Sequence, residues 1–589
     1  MNVFLKQGLF LSDHDIFSRF SDFVISTVHQ LIADGVLTAD QPVNTDKLVV
    51  ELPRDESHGD LACNAAMVLA KQLSMKPRDL ANVLAERLKE RNDVASVDIA
   101  GPGFINIFLK SGVWPEELIA ILNAAAGYGR SKIGEGLAVN VEFVSANPTG
   151  PLHAAHARGA IFGDALANLL EFCGFKVTRE YYINDAGTQV DTLARSTFLR
   201  YKEALGETGI TIPDGLYPGE YLKDVGQALQ QRYQDSLAVL PETVALPIIR
   251  SFAIDSMMEG IKSDLTDLGI QMDIFSSERQ LVEKGRVDEA INTLKERDLV
   301  YSGVLEPPKG QLPNDWEERE QLLFKSSDFG DDIDRPLQKS DGSWTYFASD
   351  VAYHLDKLQR TGGALINIWG ADHGGYVKRM TAATQALSGQ ADVLDVKLCQ
   401  LVTLLDEGKP VKMSKRAGTF VTLRDVINSV GADVMRFIML TRRNDQTLEF
   451  DYAKVTEKSR ENPVFYVQYA YARASSVLRQ EDVVQNVKPD LARLNDIHEL
   501  RLIKNLALLP SVVRAAAVMH EPHRIAFYLI DLAGLFHGLW NAGRENPALR
   551  FILESDAGLT RARLDLVAAT AQVLRTGLHL LSVPAPDEM

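Results

Sequence analysis

The segment from Leu137 to Ile183 constrains the fold most. VNVEFV (139–144) alternates and is β-branched, as a strand requires. SANPTGPLH (145–153) is rich in turn formers, HARGAIFGDALANLLEFCG (156–174) has helical apolar spacing, and KVTREYYI (176–183) returns to strand character. Strand, loop, helix and second strand in this order form a βαβ unit. Such a unit predicts a parallel sheet whose ligands sit beyond the carboxyl ends of its strands.

The 589 residues exceed what one hydrophobic core usually supports, so several domains are expected. With 46% hydrophobic and 24% charged residues, the chain is neither disordered nor fibrous. Before the βαβ unit come an amphipathic segment (17–32), a strand-like VVELP (49–53), a helical pattern from Leu61 to Leu73, and SVDIAGPGFINIFL (96–109). The last reads as two strands broken by GPG, which makes residues 1–110 a small α+β domain. Residues 111–136 are helical and then glycine-rich, and read as a linker. The sheet domain spans 137–400, with a helical and polar insertion at about 190–280 and strand-like segments returning at SWTYF (343–347), ALINIWG (364–370) and KLCQLVTLL (397–405). A basic segment occupies 401–454. Residues 455–589 have helical periodicity and read as an all-α bundle.

The net charge of −17 argues against a generic nucleic-acid coat but leaves room for a local basic patch. Residues 412–443 supply one, with seven basic side chains against two acidic ones. Cys63, Cys173 and Cys399 are far apart and show no metal-ligand or disulfide spacing, so neither zinc nor a disulfide framework is expected. No apolar run approaches the roughly 18 residues of a membrane span, and the first residues lack signal-peptide organisation. A reducing cytoplasm is the expected compartment.

Neither GxxxxGK[ST] nor a GxGxxG after a strand occurs, so phosphate must be handled another way. Asn147-Pro-Thr-Gly-Pro-Leu-His153-Ala-Ala-His156 puts two imidazoles at a helix start, where unpaired N–H groups and the helix dipole favour an anion. Lys412-Met-Ser-Lys415-Arg416, between Pro410 and Gly418, can follow charge developing on a departing phosphate.

Together these loops resemble the HIGH and KMSK signatures of class I aminoacyl-tRNA synthetases. Lys412–Lys415 matches KMSK letter for letter, whereas the third HIGH position is Ala155 rather than the usual glycine. VEFVSANPTGPLH, EYYINDAG, TYFASDVAYHLDK, IWGADHGGYVKRM, KMSKRAGTF and GADVMRF narrow the resemblance to arginyl-tRNA synthetases. The resemblance implies an α/β multidomain protein. It would have a Rossmann-like parallel-sheet catalytic core carrying HIGH and KMSK, a small N-terminal α+β domain that reads the tRNA D-loop, a stem-contacting KMSK region, and a C-terminal all-α anticodon-binding bundle. Implied substrates are L-arginine, MgATP and the cognate tRNA, and a monomer is expected. Activation of arginine is expected to need bound tRNA.

The implied catalytic residues are His153, His156, Lys412 and Lys415. ATP would be held by Pro148, Gly150, Gly370, Asp372, His373, Met413 and Ser414 together with those four. Arginine would be held by Glu142, Asn147, Tyr346 and Asp350. Asp350 would face the guanidinium, because a planar, permanently charged group needs a carboxylate placed for paired hydrogen bonds. Tyr346 and Asp350 share a face only if that segment is already helical. Expected tRNA contacts are Phe104, Asn106, Arg416, Arg436, Tyr466, Tyr469 and Arg473. Phe104 and Asn106 lie on one face of a strand. Asn462, Tyr466, Tyr469 and Arg473 fall on one helix face. Two readings compete, a synthetase for another amino acid and a tRNA-binding paralogue without aminoacylation activity.

Overall fold

The computed structural model describes residues 15–305, 319–411, 421–480, 484 and 486–589. Its centre is a five-stranded, wholly parallel sheet made of β1 (Ala138–Glu142), β2 (Lys176–Ile183), β3 (Ile274–Ser277), β4 (Ala364–Gly370) and β5 (Leu394–Cys399). The spatial order is β5-β4-β1-β2-β3. The chain builds outward on one side of β1 and then returns to the other side. The order therefore reverses between β1 and β4, and a crevice opens beyond their carboxyl ends. Glu142 ends β1 and Gly370 ends β4.

Helix α1 (Ala154–Phe172) follows the first loop and packs against this sheet, buried on almost every side. Its Gly163 is required by close approach, because a Cβ there would lie 2.3 Å from the ring of Phe143. Three helices, Thr188–Ala204, Tyr221–Tyr233 and Glu242–Asp267, form the insertion. The helical stretch ends earlier than the sequence suggests, since 274–277 is core strand β3.

Other elements also differ from expectation. SWTYF is not a strand. The Thr345 side chain accepts from the Ala348 N–H (3.2 Å) and caps helix α2 (Tyr346–Thr361), so a local cap overrides aromatic strand propensity. KLCQLVTLL divides between two sheets. Its first part closes β5, and Val402–Asp406 joins Lys409–Pro410 and Leu448–Asp451 in a separate sheet. Gln400 N–H donates to Asn444 O at the division (2.8 Å). In the N-terminal region Leu61–Cys63 is a strand, paired with Phe104–Leu109 in a four-stranded antiparallel sheet, rather than the start of a helix.

The C-terminal region holds the helices Pro463–Leu478, Ile497–Ala507, Leu509–Met519, His523–Glu545 and Ala557–Leu580. The stretches Ile497–Met519 and His523–Glu545 each contain an 18-residue window apolar enough by length and composition to cross a membrane. Half of each is buried inside the protein. Helix Val113–Ala124 docks on this bundle, where Gln572 Nε2 donates to Ile121 O (2.8 Å) and Ala125 O (2.7 Å).

Arg436 corrects the sequence reading. It was expected at the tRNA surface, but it is 1% exposed. Its Nε donates to Leu581 O (2.7 Å), Nη1 to Leu268 O (2.8 Å), and Nη2 to Asp164 of α1. Every face of the guanidinium is spent inside the protein, which leaves none for a polyanion. Removing one partner of a buried ion pair strands the other. Arg436→Ala should therefore lower unfolding free energy by about 3–5 kcal/mol, read from chemical denaturation midpoints.

Candidate active site

The crevice is built from the loop after β1, the start of α1, the turn after β4 and the start of α2. His153 is the N-cap of α1 in extended conformation. Its backbone N–H donates to Nδ1 of His156 (3.2 Å), and the two rings stack at 3.7 Å between centroids. A neutral His156 that accepts at Nδ1 carries its proton on Nε2 as a donor. Ala155, the departure from HIGH, is exposed on the first turn of α1.

Lys412, Met413, Ser414, Lys415 and Arg416 lie outside the described residues. The residues bordering them are described. Val411 N–H donates to Leu404 O (2.9 Å). On the other side Leu423 N–H donates to Leu152 O (2.7 Å), and Thr422 bridges to His153. The chain that leaves KMSK is thus stitched directly to the HIGH loop.

A cavity of about 940 Å³ opens here, lined by Asn147, Gly150, His153, His156, Tyr217 and Tyr221 among others. Pro148 is buried in the loop and is not among the lining residues. Tyr221 donates its hydroxyl to Thr149 O (2.7 Å), and a Cβ on Gly150 would meet that hydroxyl at 3.1 Å. Tyr217 and Tyr221 come from the insertion, and no sequence signal joined them to the site. Asn147 is exposed and donates to Gln189 Oε1 (2.8 Å).

A second group lies beside these. Tyr346 and Asp350 are one turn apart on α2, so they do share a face. Tyr346 is exposed at the rim, its hydroxyl next to Gly187. Asp350 accepts the hydroxyl of Tyr376. Burial pushes the Asp350 carboxyl up to about 7; the Tyr376 bond opposes this, Glu278 and Glu142 push it further up, and Lys357 pulls it down. Glu278 is itself buried and raised, by burial first, against a hydrogen bond from Ser349 and with Asp185 adding to the rise. Glu142 accepts from Ser145 Oγ (3.0 Å) and from Lys357 Nζ (2.6 Å). Glu278, Tyr376 and Lys357 were not singled out from sequence, although the last two stand inside the strings that carried the resemblance. Among the described residues this group therefore holds three carboxylates, Glu142, Glu278 and Asp350, with Lys357 bonded to Glu142.

Gly370 starts the turn Ala371–Tyr376, where a Cβ would come within 2.4 Å of Asp372 Oδ1. Asp372 and His373 are exposed at the mouth.

Away from the crevice, Phe104 is 45% exposed, but Asn106, expected beside it at the tRNA surface, is buried between the strands it pairs with, which corrects that reading. Asn462 caps helix Pro463–Leu478 and spends its amide on Val455 O (2.9 Å) and Glu457 O (2.8 Å). Tyr466, Tyr469 and Arg473 gather around His537 instead. Arg473 Nη1 lies 3.0 Å from His537 Nδ1, and its guanidinium sits over the rings of Tyr469 (4.2 Å) and Trp540 (5.0 Å).

Comparison with known proteins gives a consistent picture. Residues 26–109 match the family described as arginyl tRNA synthetase N terminal domain, 117–459 match tRNA synthetases class I (R), catalytic domain, and 467–589 match the DALR anticodon binding domain. The chain is 55% identical to an arginine–tRNA ligase of Rhodopseudomonas palustris over 98% of its own length and 99% of that protein. It is 56% identical to one of Azorhizobium caulinodans over 98% and 100%. The fold is similar to that of Thermus thermophilus arginyl-tRNA synthetase, with TM-score 0.74 at 22% identity, covering 98% of this chain and 100% of that one.

The raised Asp350 carboxyl has a stability consequence. A carboxylate whose folded pKa lies above its unfolded value stabilises fully below the unfolded value, and that contribution is lost as pH rises through the folded value. The window here runs from about 4 to about 7. Asp350→Asn removes the titration, so its unfolding free energy should gain on the parent's by on the order of 4 kcal/mol across that window and then level off. Denaturation curves at pH 4.5, 6 and 8 measure this. A difference that stays constant would contradict it.

Proposed function

The chain belongs to the class I arginyl-tRNA synthetases, the arginine–tRNA ligases, and on that premise we propose how its crevice works. L-arginine and MgATP react to arginyl-adenylate, and the arginyl group then passes to the 2′-hydroxyl of the terminal adenosine of the cognate tRNA. The observation that carries this reading is the carboxylate cluster around Asp350, next to the paired histidines. Its carboxylates suit the charge and the paired N–H donors of a guanidinium.

In this reading Asp350 takes the guanidinium through charge-assisted hydrogen bonds, and Tyr346 closes over it from the rim. Glu142 and Asn147 take the α-amino end. A carboxylate oxygen of arginine attacks the α-phosphorus as the bond to pyrophosphate breaks. No side-chain nucleophile takes part, so the rate comes from positioning and from donors aimed at developing charge. His153 and His156 donate to phosphoryl oxygens. Lys412 and Lys415 accompany the charge that moves to pyrophosphate. Gly370, Asp372 and His373 lie on the adenosine side. The 2′-hydroxyl then attacks the arginyl carbonyl carbon and AMP leaves.

For tRNA, exposed Phe104 offers a stacking face. Tyr466, Tyr469 and Arg473, with His537 and Trp540, offer an aromatic and cationic surface for unpaired anticodon bases.

The deciding experiment is arginine-dependent ATP–pyrophosphate exchange with and without cognate tRNA, followed by charging. Exchange that requires tRNA is expected, and no exchange in either condition would sink the reading. Asp350→Ala should raise the arginine KM by at least about 100-fold, since hydrogen bonds to a charged group are worth about 1.5–3 kcal/mol each. In the parent, arginine KM should climb as pH falls below about 7, where Asp350 takes up a proton. Lys415→Ala should slow exchange by about 100-fold or more, as loss of one transition-state donor does, while tRNA affinity stays within about two-fold. Equal losses in both would remove Lys415 from the phosphate-handling role.

A further inference from the structure

Lys357 lies two turns beyond Asp350 on α2 and is fully buried, yet nothing in the reaction above uses it. Its Nζ donates to Glu142 Oε2 (2.6 Å) at the end of β1 and to Asn367 Oδ1 (2.8 Å) on β4, and it sits over the ring of Tyr353 (4.6 Å). The chain of contacts continues. Asn367 Nδ2 meets His354 Nε2 (2.9 Å), and His354 Nδ1 meets the main-chain oxygen of Asp350 (2.8 Å). Burial, and then the charge of Lys357, hold the His354 pKa well below its ordinary value, so the ring is neutral. Its Nδ1–H donates to Asp350 O, and its Nε2 accepts from the amide. One continuous set of hydrogen bonds thus runs from the Glu142 carboxylate to the backbone of Asp350, across the point where the strand order reverses.

We propose that Lys357 is a positioning residue for the amino-acid pocket, setting the spacing between Glu142 and Asp350 through its bonds to Glu142 and Asn367. This rests on the reading of those two carboxylates as the contacts for the two ends of arginine. The span from α-amino group to guanidinium is long and flexible, so two charged anchors at fixed separation select it better than either alone. An ammonium suits the task because it is compact and donates in three directions, whereas a guanidinium would need a planar set of acceptors. Lys357 also faces Glu180 of β2 and, through space, Asp350, whose carboxyl it pulls down. Glu278 and Tyr376 face Asp350 from the other side.

The test is a double-mutant cycle with Lys357→Met, Glu142→Gln and both together, using exchange in the presence of tRNA. Lys357→Met should raise arginine KM by about ten-fold or more, with ATP KM within about two-fold. It should also move the acidic limb of kcat/KM for arginine to higher pH, because Asp350 loses a nearby cation. A residue that merely supports the fold would not move that limb. In the Glu142→Gln background the second substitution should change arginine KM less than about two-fold, since the charge-assisted bond to Glu142 is already lost. The double variant leaves neither charge stranded, so it allows the comparison even where Lys357→Met alone folds poorly. Multiplying losses, or an unmoved acidic limb with arginine KM near the parent's, would overturn the proposal. A parent without arginine-dependent exchange would instead overturn the functional reading beneath it.

Discussion

Two buried guanidinium groups brace the helix that carries the site, and the rest of the architecture is arranged around satisfying them. Arg158 lies on α1 two residues beyond His156. It donates to the backbone oxygens of Gln400 (3.0 Å), Gln446 (2.5 Å) and Arg443 (2.7 Å). Arg436 reaches α1 from the other direction through Asp164, and also binds Leu268 O and Leu581 O. A guanidinium removed from water must have its donors occupied, or the cost is several kcal/mol. Five chain segments distant in sequence are therefore drawn toward one helix. Asn168 adds a further tie, donating to Ser582 Oγ (2.9 Å). The consequence is a fixed helix start: the turn that presents His153 and His156 is held near its beginning by Arg158 and at mid-helix by Asp164.

The crevice obeys the opposite rule. Where the braces have their donors occupied, the carboxylates around Asp350 outnumber the cations bonded to them among the described residues. Asp350, Glu278 and Glu142 gather at the carboxyl ends of the strands with Lys357 as the one buried cation bonded to them among the described residues, and Asp350 is pushed up to about 7. The same imbalance links the amino-acid pocket to pH, and the hydrogen bonds through Asn367 and His354 link it to the sheet beneath. The paired histidines are placed differently, at a helix start, where His153 bridges to Thr422 on the chain leaving KMSK.

The elements legible in sequence were those whose pattern is local. The βαβ unit, the strands on either side of GPG and the C-terminal helical periodicity all appear as read. The misreadings have one cause, a nearby or distant hydrogen bond that outweighs propensity. Thr345 starts a helix inside SWTYF, the pairing of Leu61–Cys63 with Phe104–Leu109 turns a helical pattern into strand, and Gln400 with Asn444 splits KLCQLVTLL between two sheets. Among the residues singled out from sequence, His153 and His156 line one cavity with Asn147 and Gly150, and Tyr346 and Asp350 lie one turn apart on α2. Arg436 does not belong with the surface residues, because a run of basic side chains in sequence does not say which of them face solvent.

The sequence by itself determined the family, the parallel sheet and the two signature loops, because turn chemistry, periodicity and catalytic side chains are written within short windows. Only the tertiary structure decided which charges are tools and which are braces. Lys357 and Arg436 are ordinary basic residues in the chain. Their roles come from full burial beside Glu142 and Asp164, residues more than 200 positions away, where loss of water makes pairing obligatory and position follows from it.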